Sequence, residues 1–109
     1  KLANGLFSLE LARKLEGTNA TSNSLHPGGV QTNITRNLAS GTGAFRLPKT
    51  AEQGAATTCY VAASSDLSGV SGLYFADCNE VQPGGYMEDT VMAAQLWEVS
   101  EDLTRSYLD

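Results

Sequence analysis

Ser24-Leu25-His26-Pro27-Gly28-Gly29-Val30-Gln31-Thr32 is the stretch on which the fold turns. The residues leading into it, 19–25, alternate weakly, as a short strand does, and His26-Pro27-Gly28-Gly29 must break that strand. Its neighbours decide what sheet it joins. Upstream, Leu2, Leu6 and Leu9 recur at helical spacing, with Phe7, Leu11 and Leu15 in a second row. The spacing predicts a helix over residues 2–16 with a wide apolar face, stopped by Gly17. Downstream, residues 33–50 are irregular, with Gly41, Gly43 and Pro48, and connections that long are usually lids or binding loops.

Further out, Thr50-Ala51-Glu52-Gln53 opens a second helix as a capping box, running to about Ser64. Gly69-Val70-Ser71-Gly72 is a turn, and Leu73-Tyr74-Phe75-Ala76 is the clearest strand in the chain. After Pro83-Gly84-Gly85, Val91, Ala94, Trp97 and Leu103 mark a last helix over residues 89–104. Tyr74 and Trp97 are expected as core anchors. The order helix, strand, loop, helix, strand, helix is an α/β pattern.

Two strands make a very small parallel sheet with two exposed edges. The first helix also lacks a Ser, Thr, Asp or Asn cap, and Lys1 puts positive charge at the positive end of the helix dipole. Both features predict a chain cut from a longer one, with further strands N-terminal to Lys1.

The 109 residues suit one domain, and 41% hydrophobic with 17% charged residues reads as globular. No apolar run approaches the roughly 18 residues of a membrane span, and no targeting signal is visible. The net charge of −5 argues against nucleic acid. It is unevenly placed: residues 1–76 carry six bases and four acids, whereas residues 77–109 carry eight acids and only Arg105 as a base. Cys59 and Cys78 form no metal motif and are expected as two buried thiols. One imidazole, His26, makes no metal site and reads as structural. Asn19-Ala20-Thr21 and Asn33-Ile34-Thr35 fit the glycosylation pattern by coincidence. On composition alone, Lys1 is an ordinary lysine and the Pro-Gly-Gly segment a plain turn.

Several segments together resemble the short-chain dehydrogenase/reductase family. Lys1-Leu2-Ala3-Asn4 on a helix is similar to the end of the family's Tyr-x-x-x-Lys motif and the residues just after it, with Lys1 as the motif's lysine. His26-Pro27-Gly28-Gly29-Val30-Gln31-Thr32 is similar to its Pro-Gly-x-Val/Ile-x-Thr motif. Thr50-Ala51-Glu52-Gln53-Gly54-Ala55, Gly72-Leu73-Tyr74-Phe75-Ala76-Asp77-Cys78 and Leu96-Trp97-Glu98-Val99-Ser100 resemble its retinol-dehydrogenase-like branch. The stretches 53–62 and 75–80 look most like plant dehydrogenases associated with the chloroplast inner-envelope import machinery.

The resemblance implies the C-terminal portion of a Rossmann-type doubly wound parallel sheet, with the N-terminal half missing. Residues 1–17 are then a helix, 19–32 strand and cofactor loop, 33–49 the substrate loop, 50–65 a helix, 72–78 a strand and 89–106 the last helix. It implies hydride transfer between NAD(P), NADP favoured, and a small-molecule carbonyl or alcohol. Lys1 is implied as catalytic and cofactor-binding, with Pro27, Gly28, Gly29, Val30 and Thr32 also at the cofactor. Gly29 would leave room for the nicotinamide carboxamide. Asn33, Ile34, Leu38, Phe45 and Leu47 would form a substrate lid suited to an apolar molecule. No metal is implied, an oligomer is left open, and family members in chloroplast, microsomes and cytosol share these motifs. The pyrophosphate-binding turn and the catalytic Ser and Tyr are not among these residues, so the 109 residues alone are expected to show no turnover with NAD(P). Measurable turnover by the purified chain contradicts that.

Two rival readings remain at this point. One is a truncated, non-enzymatic product acting as an interaction module through its acidic C-terminal helix, which the sequence upstream of Lys1 would tell apart. The other is a self-contained acidic α/β binding domain, which would melt sharply as a monomer.

Overall fold

The computed structural model describes residues 1–33 and 47–107. Its elements are α1 (Leu2–Lys14), β1 (Ser24–His26), α2 (Ala51–Ala63), β2 (Tyr74–Ala76), β3 (Asn79–Glu80) and α3 (Thr90–Thr104), with short 3₁₀ turns between and after them. β1 and β2 pair in parallel, Leu25 opposite Phe75, and α2 lies between them in the chain. β3 folds back antiparallel on β2, giving the order β1-β2-β3. The architecture is α/β, as expected, consistent with part of a Rossmann-type domain.

β3 departs from the two strands the sequence predicts. It is two residues long, too short for alternation to show. Ala76 pairs with Asn79 across Asp77 and Cys78, both left-handed (φ 51° and 59°). Both central residues left-handed is the geometry of a two-residue type I′ hairpin, usually made with Asn-Gly or Asp-Gly. Cysteine in the glycine position hides that signal. Here the turn is held from outside: the Cys78 N–H donates to the hydroxyl of Thr57, a fully buried residue of α2, at 3.2 Å. Thr57→Val keeps the shape and leaves that N–H without its acceptor. A loss of about 1 kcal/mol is expected in chemical denaturation.

β1 starts later than the sequence suggests and includes His26. Ahead of it, Asn23 works through its side chain, donating to Val70 O (2.8 Å) and accepting from Leu73 N (3.0 Å). The break comes at Pro27, which has no N–H to offer a ladder.

Successive residues of β2 face opposite sides of the sheet. Phe75, 2% exposed, meets the Tyr60 ring of α2 edge-on, with centroids 6.2 Å apart. Tyr74 points to the other side, where it lines a cavity with Gly5, Ser8 and Leu9 of α1. α2 and α1 therefore cover opposite faces. The buried anchor of the sheet is Phe75; Tyr74 is only half-buried. Trp97 is half-buried too. It stacks on Phe7 (5.1 Å) beneath the Lys14 ammonium, so it joins α3 to α1 at the rim of the core. The core between these helices is carried by Leu6, Ala12 and Ala93.

α2 forms its capping box: Gln53 N donates to Thr50 Oγ1 and Thr50 N to Gln53 Oε1. Gly54 and Thr57, one turn apart, are its buried residues. Cys59 lies about 200° round the helix from Thr57 and is exposed, contrary to expectation; Cys78 is partly buried, and both are free thiols. α1 has no side-chain cap at Lys1. Its last turn carries Arg13 and Lys14, which suit the negative end of the dipole.

Glu10 on α1 is buried, and Arg13 grips its carboxylate with two bonds of 2.9 and 2.6 Å. Those bonds, then desolvation opposing them, then the charges of Arg13 and Lys14, hold the Glu10 carboxyl below its ordinary value. A carboxyl lowered in the fold adds stability above its ordinary range and loses it as pH falls through the lowered value. The melting temperature should therefore drop between about pH 5 and pH 3, and Glu10→Gln should make that drop shallower.

Candidate active-site cleft

The parallel strands end together at His26 and Ala76. Ligands of open α/β sheets bind at that carboxyl edge. The chain leaves it as Pro27-Gly28, and Gly28 has φ +83°, which a residue with a Cβ rarely adopts. The N-terminal end of α1 faces the same edge. Lys1, Asn4 and Gly5 line a cleft of about 250 Å³ with Ser24, Leu25, His26, Pro27, Tyr74 and Met87. The structure thus brings Lys1 and Pro27 together, and adds Asn4, Tyr74 and Met87 at the same place.

The other expected cofactor residues follow Pro27 and pack on the loop's return. Lys49 N donates to Gly29 O (3.1 Å) and Gln31 N to Lys49 O (2.9 Å), a parallel bridge centred on Val30 and Lys49. A Cβ at Gly29 would meet Pro48 Cδ at 3.2 Å and Leu47 Cδ2 at 3.3 Å. The missing side chain at Gly29 therefore makes room for Leu47 and Pro48. Val30 packs on Gly54 of α2, where a Cβ would come within 2.4 Å of its Cγ2. Thr32 and Asn33 are exposed. Of the expected lid residues, Asn33 and Leu47 are placed; Ile34, Leu38 and Phe45 lie outside the described residues.

Two residues outside the expected site set, Lys49 and Asp77, complete the edge. The Lys49 ammonium donates to Pro27 O (3.1 Å) and to the Asp77 carboxylate. The hydrogen bond from Lys49, and then its charge, hold the Asp77 carboxyl below its usual value, with His26 adding a smaller effect. Among the described residues there is no group of three His, Cys, Asp or Glu that could hold a metal, and no helix long and apolar enough to cross a membrane.

No protein-family model matches the chain, and no solved structure does. Curated proteins do. The chain is 49% identical to short-chain dehydrogenase TIC 32 B, chloroplastic, of Brassica napus, over 97% of its own length and 35% of that protein. It is 48% identical to retinol dehydrogenase 14 of Mus musculus, covering 93% of the chain and 33% of the relative. Against the WW domain-containing oxidoreductase of Gallus gallus the identity is 42%, over 99% of the chain and 27% of the relative. The chain belongs to the short-chain dehydrogenase/reductase family.

Its relatives place it in the retinol-dehydrogenase-like branch of that family, which includes both plant and animal proteins. The chain spans about a third of the length of the curated relatives it matches. The cleft therefore belongs to an α/β unit of that family, with Lys1 and Pro27 both in its lining.

Proposed function

We propose that the protein carrying these residues transfers a hydride between NAD(P), with NADP favoured, and the carbonyl or alcohol carbon of an apolar small molecule. The observation that carries this reading is the shared cleft of Lys1 and Pro27 at the carboxyl edge of parallel strands. The lining fits the nicotinamide end of a dinucleotide. It offers the Lys1 ammonium, the Asn4 amide and the chain at Pro27. Lys1 would hold the ribose hydroxyls, and the Pro27–Val30 backbone with Thr32 would hold the carboxamide side. The cofactor supplies the hydride chemistry.

The protein's part is proton transfer and positioning. The family motif places a tyrosine four residues before Lys1, one helical turn away and on the same side of the helix. A phenol titrates near pH 10 by itself, and a neighbouring ammonium favours its phenolate. Lys1 would thus bring the proton-transferring group toward neutral pH. Leu47, packed on Gly29, is the described end of a loop that would close on an apolar substrate and exclude water. The resemblance to plant members suggests a plant source for the chain.

The test is titration of the full-length protein with NADP and NAD by protein fluorescence, followed by turnover of apolar aldehydes. Saturable binding of one cofactor with aldehyde-dependent oxidation of its reduced form is the expected result. Absence of binding to either overturns the proposal.

A further inference from the structure

Lys49 does more at the cleft edge than a surface lysine does. Its backbone pairs with Gly29 and Gln31, so the residue is already fixed beside the loop. Its side chain then runs back across Gly28. A Cβ on Gly28 would meet Lys49 Nζ, Cε and Cδ at 2.6, 2.8 and 3.0 Å. The ammonium ends between Pro27 O and the Asp77 carboxylate, and only 22% of the side chain remains exposed. Asp77 sits in a turn whose two left-handed, non-glycine residues need outside support to persist. Thr57 supplies it at Cys78 N, and Asn79 Nδ2 donates to Asp77 O at 2.7 Å. An isolated ion pair with an exposed partner contributes little. Here the same ammonium also bonds a loop carbonyl and covers a glycine, which a solvated lysine has no reason to do.

We infer that Lys49 is a positioning residue: it clamps Pro27-Gly28 to the β2–β3 turn and so sets where the cofactor-binding backbone lies. This rests on the function proposed above. Lys49 acts through its contacts with Pro27 and Gly28.

The test uses the full-length protein, its Lys49→Met variant, which keeps the stem and removes the charge, and Lys49→Arg. Hydrogen exchange without cofactor comes first. Losing a charge-assisted hydrogen bond should speed exchange across residues 28–31 about tenfold, with α1 unchanged and Lys49→Arg largely restored. Steady-state kinetics come second. The KM for the nicotinamide cofactor should rise by a similar factor in Lys49→Met, while kcat changes little. Unchanged exchange at 28–31, or faster exchange throughout, overturns the clamp. So does local loosening with an unchanged cofactor KM, which leaves Lys49 a purely structural tie. If the unsubstituted protein binds neither NADP nor NAD, the proposed function falls, and exchange alone decides whether the clamp exists.

Discussion

Lys1→Met in the full-length protein is expected to lower kcat by a factor of about 10²–10⁴, the range in which a general acid–base group contributes. Methionine keeps the length and apolar stem of lysine, so the change is chiefly the loss of a positive charge. Lys1 stands at the N-terminal end of α1 and lines the same cleft as Pro27. With the ammonium gone, the phenol that the family motif places one turn earlier loses the interaction favouring its phenolate, and its pKa moves back up toward about 10. That fixes the sign of the pH effect. For alcohol oxidation, which needs the phenolate, the variant's residual activity should keep rising to higher pH than that of the unsubstituted protein. Cofactor KM should rise as well, because the same ammonium would hold the ribose. A steady-state pH profile checks both. An unchanged kcat and an unchanged profile would remove Lys1 from the mechanism.

How much of the fold and the cleft is legible in the sequence depends on the range of each signal. The leucine rows of α1 and the Thr50–Gln53 box of α2 are local patterns, and both helices form where those patterns lie. The Pro27-Gly28 break is local too, because proline ends a ladder and a left-handed glycine turns the chain. Lys49 and Asp77 are 28 residues apart, and nothing in their own neighbourhoods announces the pair. Cys59 is exposed where composition predicts burial, because composition says only that cysteines are often buried; which side of α2 faces the sheet is decided by Gly54 and Thr57. Glu10 shows the same limit. Nothing local marks it for burial; its carboxylate is buried while Arg13 stays exposed, and that depends on how α1 packs against the rest of the fold.

The contact that joins α2 to the cofactor loop gives the largest stability effect expected here. Gly54 is inside a helix, where alanine is ordinarily better by about 1 kcal/mol. Local propensity therefore predicts that Gly54→Ala stabilises. Packing predicts the opposite. A Cβ there would lie 2.4 and 2.7 Å from the two Val30 methyls and 3.1 Å from Val30 Cβ. Rotating Val30 moves its methyls but leaves its Cβ in place. Nor can Val30 retreat freely, because its neighbour Gln31 donates to Lys49 O and Gly29 accepts from Lys49 N. Overpacking of this kind costs about 1–3 kcal/mol, and immobile neighbours put it at the upper end. The net expectation is a loss of about 2 kcal/mol, which chemical denaturation would read as a lower midpoint at constant slope. Strain released through Val30 also displaces the backbone proposed to hold the carboxamide, so cofactor KM should rise with it. Val30→Ala removes the two close methyls and leaves only the 3.1 Å approach, which a shift of a few tenths of an ångström relieves. Combined with Gly54→Ala, it should recover most of the lost stability, a coupling that only residues in contact produce. Additive losses in the double variant would mean that the helix yields, and the loop would keep its position.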